Sequence, residues 1–250
     1  MELNGLEHFL RKIRQGQMLL GCCITLDDPA VSEIAAEAGM DFCWIDCEHG
    51  ILDRRAVMEH LMALRGTGCA PLIRVPVCDH TEIKKVIDLA PAGIIVPMVN
   101  TAEQAALAVA ACRYPPEGNR GCGFRRGFRY GAEEFAVYWE NSRHDPLVIA
   151  QIEHIEAVKN LGRILAVPGL DGICIGPGDL SASCGCPMCF DAPELARLLD
   201  EICRQVHDAG KLLGAYSETD RENWRRRGVQ WLGVSNDTGA LFHYFRNLQK

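Results

Sequence analysis

Eight short apolar segments alternate with helical segments along most of the chain, and this alternation is the feature that most constrains the fold. Each segment is apolar at consecutive positions and is bounded by Gly, Pro, Asp or Asn, which is typical of strands that are buried on both faces. The predicted strands are residues 19–25, 42–47, 71–76, 93–99, 147–153, 172–176, 212–216 and 231–236.

Several of the intervening segments carry signals for helix ends. Asp28 is a suitable N-cap before Pro29, which favours the first helical position, and Gly39 is a typical stop. Thr101 opens a segment with helical apolar spacing, and residues 193–210 run from a proline to a glycine.

Strands and helices in this order predict an α/β protein with a parallel sheet. The most economical form is one closed (β/α)8 barrel, a TIM barrel, spanning residues 1–250 as a single domain. An open doubly wound sheet is the alternative, although no GxGxxG motif follows the first strand.

The composition gives no sign of a nucleic-acid or membrane partner. The chain has 250 residues and a net charge of −7, which disfavours binding to polyanions. The longest apolar run, LAPAGIIVPMV, is too short to span a bilayer, and the first residues show no signal-peptide pattern. We therefore expect a cytoplasmic protein whose thirteen cysteines do not form a disulfide framework.

Two carboxylates lie where a barrel of this kind carries out its chemistry, at the carboxyl ends of the strands. Glu153 and Asp179 follow neighbouring predicted strands and would face the same point. Close carboxylates repel each other unless a proton or a cation intervenes, and oxygen ligands at an open site suit Mg²⁺ or Mn²⁺. The alternative is that each carboxylate caps the following helix or pairs with an arginine.

Other strand ends supply candidates for proton transfer and charge stabilisation. Asp46 and His49 follow the second strand and are expected to pair, with the carboxylate fixing the imidazole tautomer. Arg74 either stabilises a developing oxyanion or forms a structural salt bridge across the barrel mouth. No lysine ends a predicted strand on this face, which disfavours a Schiff-base mechanism and leaves metal activation of a carbonyl.

A long connection, residues 115–146, is rich in Gly and Arg. Connections of this length are typical of lids, binding loops or interface arms. Its arginines suit either a carboxylate-bearing ligand or contacts between subunits. Four of them, Arg120, Arg125, Arg126 and Arg129, form a local cluster.

Three cysteines form a CxCxxC pattern shortly after Asp179, namely Cys184, Cys186 and Cys189. A structural zinc site normally has four ligands, and no fourth ligand is evident nearby. Packing or loop cysteines are therefore favoured over a zinc site.

Six motifs follow one another along the chain: FCWIDCEHG, PLIRVP, GIIVPMVNTAEQA, RYPPEGNRG, IAQIEH and GICIGPGDLSAS. In this order and spacing they resemble the motifs of the HpcH/HpaI aldolase/citrate lyase family, in particular its metal-dependent (class II) pyruvate aldolases. The resemblance covers roughly residues 19–240. It implies a barrel of the phosphoenolpyruvate/pyruvate type that assembles as a hexamer, a trimer of dimers, with the last helix exchanged between neighbours.

The resemblance also implies roles for the residues at the strand ends. Glu153 and Asp179 match the metal ligands, with Mg²⁺ or Mn²⁺ favoured and Co²⁺ or Zn²⁺ as alternatives. His49 matches the catalytic histidine, Asp46 its partner, and Arg74 the arginine near the keto oxygen.

The same resemblance places the substrate carboxylate against the glycine-rich turn of the sixth motif. The backbone of Gly176, Pro177 and Gly178 would hold it, with Arg74 and Gln151 as further substrate-binding residues.

The implied activity is that of a carbon–carbon lyase. It cleaves or forms 4-hydroxy-2-oxo acids, giving pyruvate or a close 2-oxo acid plus an aldehyde through an enolate. Decarboxylation of a 2-oxo diacid such as oxaloacetate is the alternative, and an inactive barrel that binds 2-oxo acids is a third reading. Cys47, Cys184 and Cys186 depart from the family pattern, as does the arginine-rich GFRRGFRYG segment, and these departures leave the aldehyde undefined.

Overall fold

The computed structural model describes residues 2–249, and its eight parallel strands close into a barrel. The strands pair in chain order and β8 closes on β1, which confirms the predicted (β/α)8 barrel and excludes the open sheet. They are β1 (Leu19–Ile24), β2 (Phe42–Asp46), β3 (Ala70–Arg74), β4 (Gly93–Val96), β5 (Leu147–Ile152), β6 (Gly172–Ile175), β7 (Leu212–Tyr216) and β8 (Trp231–Asn236).

Helices precede, link and follow these strands. They are α1 (Leu6–Arg14), α2 (Ala30–Glu37), α3 (Arg54–Ala63), α4 (His80–Ile87), α5 (Ala102–Cys112), α6 (Phe135–Asn141), α7 (Ile155–Leu165), α8 (Pro177–Ser183), α9 (Pro193–Asp208), α10 (Arg221–Arg226) and α11 (Asp237–Asn247), with a 3₁₀ turn at Arg129–Gly131. Within residues 2–249, no helix is both long and apolar enough to span a bilayer.

The predicted helix starts agree with the side chains that cap them. Thr101 is the N-cap of α5, and it forms a capping box with Gln104. The Asp28 carboxylate accepts a hydrogen bond from the N–H of Ala30 at 3.0 Å, although α2 begins one residue after the predicted Pro29. The first six predicted strands extend past the observed ones, by three residues at β4.

The hydrophobic core has two layers. Mainly aliphatic side chains fill the space between the strands and the helices, and aromatic and aliphatic side chains together fill the barrel interior. Inside, the rings of Phe42 and Trp231 pack edge to face with centroids 5.6 Å apart, and Phe9 of α1 packs against both at the amino-terminal end. Gly214 leaves room for this cluster, because a Cβ there would lie 1.9 Å from the Trp231 ring.

The connection from residue 115 to 146 lies at the amino-terminal end of the barrel. Arg126 donates to the carbonyl of Leu61, in the last turn of α3, and to the carbonyl of Leu89, which follows α4. Both helices end at this end of the barrel. Arg120 is buried, pairs with Asp88 at 3.2 Å, and lies 4.5 Å from the Tyr114 ring centroid. The expectation of a lid or a carboxylate-binding loop is therefore wrong for the chain's own active face, and a contact with another subunit stays a prediction.

Candidate active site

A two-point ion pair joins the ends of β2 and β3. Asp46 and Arg74 are paired in register, and the carboxylate accepts from Nε at 2.9 Å and from Nη2 at 2.6 Å. Arg74 Nη1 also lies 2.8 Å from an oxygen of Glu48. Burial disfavours the charged guanidinium, yet the Asp46 carboxylate outweighs it and raises the pKa of Arg74 above its ordinary value. Arg74 is thus a fixed positive charge at the barrel mouth.

The ring of His49 lies at the same rim without the predicted contact to Asp46. Besides Arg74, the Asp46 carboxylate accepts from the backbone N–H groups of Glu48 at 3.0 Å and His49 at 3.4 Å. The carboxylate near the imidazole is that of Glu48, 3.8 Å from Nε2. The expected Asp46–imidazole contact is therefore wrong in this conformation, because Arg74 and the backbone amides occupy Asp46. The His49 side chain is 65% exposed.

Glu153 follows β5 and is a buried acid. It is 2% exposed, and one carboxylate oxygen accepts from the backbone N–H of Met98 at 2.7 Å while the other accepts from the Gln151 amide. Burial raises the pKa of Glu153 to about 7, and the carboxylates of Glu48 and Asp179 act in the same direction. These acids are therefore close enough to repel each other.

Asp179 reaches this site from the first turn of α8, which follows β6 directly. Gly176 is the N-cap of that helix, and a Cβ there would lie 2.6 Å from a Glu153 oxygen and 2.9 Å from Gln151 Nε2. Only glycine lets the turn come this close to Glu153. The Gln151 Oε1 atom is buried and has no hydrogen-bond partner in the described part of the chain, so it can accept from a ligand.

The donor set fits a divalent cation. Within residues 2–249, no group of three or more His, Cys, Asp or Glu side chains forms a metal-binding cluster. The two acids at this end of the barrel that would hold a metal are Glu153 and Asp179, and substrate or water oxygens would complete the coordination, as Mg²⁺ and Mn²⁺ sites allow. A cation there would offset the mutual repulsion that contributes to the raised pKa of Glu153.

The lysines are absent from the strand ends, as predicted. Lys211 precedes β7 and donates to the carbonyl of Leu170 at 2.7 Å, at the opposite end of the barrel. No described strand ends in lysine.

The sequence and the fold agree with one group of known enzymes. The profile of the HpcH/HpaI aldolase/citrate lyase family matches residues 19–243, nearly the whole chain. The chain belongs to this family. It is accordingly an enzyme of the aldolase class, a carbon–carbon lyase, as the six motifs predicted.

Individual relatives cover most of the chain. It is 37% identical to the hydroxypyruvate/pyruvate aldolase of Roseobacter denitrificans, over 95% of this chain and 94% of the relative. It is 34% identical to the 4-hydroxy-2-oxovalerate aldolase of Rhodococcus jostii, over 95% of this chain and 93% of the relative. A crystal structure of an HpcH/HpaI aldolase/citrate lyase family protein from Burkholderia cenocepacia superimposes with a TM-score of 0.89, at 28% identity and 96% coverage of both chains.

Three contributors to the site were not assigned roles from the sequence. Glu48 lies in the same motif as Asp46 and His49, and its acidic side chain could have indicated a contact with Arg74. Trp44 lies 5.2 Å from the Arg74 guanidinium, but a tryptophan within a strand reads as core. The contact of Met98 with Glu153 is made by its backbone N–H, and the residue type gives no information on backbone contacts.

Proposed function

We propose that the protein is a divalent-metal-dependent aldolase that cleaves and forms 4-hydroxy-2-oxo acids, with pyruvate or a close 2-oxo acid as the common product. The observation that carries the proposal is the buried carboxylate of Glu153 against Gly176, in the turn that leads to Asp179, with the Asp46–Arg74 ion pair at the same end of the barrel. The names of the relatives, which are aldolases of pyruvate, hydroxypyruvate and 4-hydroxy-2-oxovalerate, support the substrate class.

Glu153 and Asp179 are the proposed metal ligands, for Mg²⁺ or Mn²⁺ in the first place and Co²⁺ or Zn²⁺ otherwise. When bound, the metal supplies Lewis-acid polarisation of the keto carbonyl. Gln151 acts next to Glu153, since its amide donates to that carboxylate and keeps its own oxygen available.

The turn of Gly176, Pro177 and Gly178 is the proposed binding surface for the substrate carboxylate. Absence of a side chain at Gly176 brings backbone within reach of a ligand beside Glu153. Arg74 provides the positive charge that stabilises the oxygen of the enolate. Asp46 holds this guanidinium by two hydrogen bonds, so little reorganisation is needed when the negative charge develops.

His49 is the proposed group for proton transfer. In cleavage it accepts the proton of the C4 hydroxyl, the C3–C4 bond breaks to release the aldehyde, and the electron pair of that bond forms the enolate. The proton taken from the hydroxyl is then returned to C3 of the enolate, which gives pyruvate and the neutral imidazole again. Asp46 fixes the backbone of His49 through its N–H, and Glu48 is the acid near its ring.

A comparison of substrates tests the reaction type. The purified protein, supplied with Mg²⁺ or Mn²⁺, is offered a 4-hydroxy-2-oxo acid and oxaloacetate separately, and pyruvate release is followed. We expect a higher kcat/KM for the 4-hydroxy-2-oxo acid. Faster decarboxylation of oxaloacetate would replace aldol cleavage with the decarboxylase reading, and binding without turnover of either compound would indicate an inactive barrel.

We also propose that the chain acts as a hexamer, a trimer of dimers, in which α11 packs against a neighbouring subunit. This last helix exposes apolar side chains that its own barrel leaves uncovered, namely Leu241, Phe242, Tyr244 and Phe245, with Leu248 just beyond it. Exposed apolar patches of this kind mark interfaces between proteins.

A further inference from the structure

The chain folds Cys186-Pro187-Met188-Cys189 into a tight turn after α8. The N–H of Cys189 donates to the carbonyl of Cys186 at 3.0 Å, and Met188 has a φ of 60°. A proline followed by a residue with positive φ is the pattern of a type II β-turn. Such a turn brings its first and fourth Cα atoms within about 7 Å, and disulfides join Cα atoms about 4.4–6.8 Å apart. The backbone therefore already holds the two cysteines at a separation that a disulfide can bridge.

Neither of the two cysteines is in a disulfide, and both are accessible to solvent. Cys189 is exposed and Cys186 is half-buried, whereas the cysteines inside the barrel strands are largely covered. Partial burial raises the pKa of Cys186, and Cys184 and Cys189 act in the same direction. A CxxC spacing is typical of dithiols that cycle between reduced and oxidised forms.

One hydroxyl connects this turn to the candidate active site. The N–H of Met188 donates to Ser181 Oγ at 2.9 Å, and Ser181 Oγ donates to the carbonyl of Gly178 at 2.6 Å. Gly178 precedes Asp179, and a Cβ on Gly178 would lie 3.9 Å from the Met188 sulfur. The Cys189 thiol donates to the carbonyl of Pro187 at 3.6 Å, and that carbonyl shares a peptide group with the Met188 N–H. A disulfide at Cys189 removes this contact and so releases the peptide group that is bonded to Ser181.

We propose that Cys186 and Cys189 form a reversible thiol–disulfide switch that acts on the turn of Gly178 and Asp179. The effect on catalysis rests on the function proposed above, whereas the disulfide itself does not. Ser181 is a positioning residue in this scheme, since it relays the change without touching substrate.

The oxidant is a low-molecular-weight disulfide. The thiolate of Cys189, the more accessible sulfur, attacks it, releases one thiol and forms a mixed disulfide. The Cys186 thiolate then attacks Cys189 Sγ and releases the second thiol. In sum, two protein thiols lose two protons and two electrons, and one disulfide is reduced to two thiols.

The test treats the reduced protein with oxidised glutathione, blocks the remaining thiols and locates new links by peptide mass spectrometry. We expect a link between Cys186 and Cys189, and faster hydrogen exchange at the Met188 amide as its bond to Ser181 is lost. We expect kcat/KM to fall roughly two- to tenfold, the loss of about one hydrogen bond, and a thiol reductant to restore it. Cys186→Ser should stop at the mixed disulfide on Cys189, and Cys189→Ser should form no link at this turn. Both should keep their kcat/KM after treatment, while Cys184→Ser should respond like the unchanged protein.

Several results would overturn the switch. The first is a link through Cys184 in place of Cys186 or Cys189. The second is a Cys186–Cys189 link that leaves hydrogen exchange at Met188 unchanged. The third is an oxidant-induced loss of activity that persists in both Cys186→Ser and Cys189→Ser. The mass and exchange measurements need no substrate. A protein that forms the link and loosens Met188, but cleaves no 4-hydroxy-2-oxo acid in either state, would contradict the proposed function and leave the disulfide assignment standing.

Discussion

Asp46 and Arg74 end neighbouring strands in register and form a buried ion pair with two hydrogen bonds. Asp46→Asn removes the charge that compensates the buried guanidinium, and breaking such a pair costs about 3–5 kcal/mol. We expect the free energy of unfolding, measured by chemical denaturation at neutral pH, to decrease by an amount in the lower part of that range. The loss is limited because Glu48 still lies 2.8 Å from Arg74.

Glu59→Gln is the matched control, since it breaks the exposed Arg55–Glu59 pair. It should change stability by less than about 1 kcal/mol. Equal effects of the two substitutions would contradict the special position of the Asp46–Arg74 pair.

The buried carboxyl of Glu153 makes the metal-free protein less stable as pH rises. Its pKa is raised from 4.5 to about 7, so between these values the unfolded chain has released the proton that the folded chain retains. The contribution of this carboxyl to the free energy of unfolding is therefore fully present below about pH 4.5. It is lost as the pH rises to about 7, a decrease on the order of 3 kcal/mol.

Urea denaturation at constant protein concentration over this pH range measures that loss. We expect Glu153→Gln to remove the pH-dependent part, whereas Glu156→Gln, at an exposed position on α7, should keep it. The same pH slope in Glu153→Gln as in the unchanged protein would assign the dependence to another group.

Gly176 gives a way to disturb the site without unfolding the barrel. A Cβ there would lie 2.6 Å from a Glu153 oxygen, so Gly176→Ala must displace the proposed metal ligand. We expect kcat/KM to drop at least about a hundredfold, as when one stabilising contact to the transition state is lost. Gly162→Ala in α7 is the control, because nothing lies within 4 Å of its Cβ position and its activity should be unchanged. Full activity of Gly176→Ala would remove Gly176 from the site.

The exposed apolar face of α11 predicts how assembly responds to charge. The double variant Phe242→Asp/Phe245→Asp places two carboxylates on side chains that are each 59% exposed in the single chain. Sedimentation analysis should show a smaller assembly than the hexamer proposed for the unchanged protein, while Asn247→Asp keeps it. A monomeric unchanged protein, or an unaltered mass in the double variant, would contradict packing of α11 against a neighbour.

The sequence predicted the architecture well because the signals of the elements are local. Consecutive apolar residues between turn formers identify all eight strands, and Thr101 caps α5 with the predicted hydroxyl. The carboxyl ends of the strands were harder to predict. Met98 continues an apolar run, yet it lies beyond the end of β4 with a φ of 51°, and its N–H donates to Glu153.

The site was predicted as a set of residues but not as a set of contacts. Asp46 and Arg74 end neighbouring strands and contact each other, and Glu153 directly follows β5, while the roles of all three stay predictions. Two side chains could bond to the Asp46 carboxylate, those of Arg74 and His49. Arg74 is in register with Asp46 across β2 and β3 and donates to the carboxylate, which had been expected to contact the imidazole of His49. Chain spacing does not reveal whether the guanidinium of Arg74 or the imidazole of His49 lies closer to Asp46 in three dimensions.

Metal dependence of pyruvate release is the most direct test of the central claim, that Glu153 and Asp179 support aldol cleavage. The protein is stripped with a chelator, a 4-hydroxy-2-oxo acid is added, and Mg²⁺ or Mn²⁺ is titrated back. Pyruvate release should vanish with the chelator, return with metal, and stay absent in Glu153→Ala at any metal concentration that restores Glu156→Ala. Pyruvate release that persists without metal and survives Glu153→Ala would contradict the account.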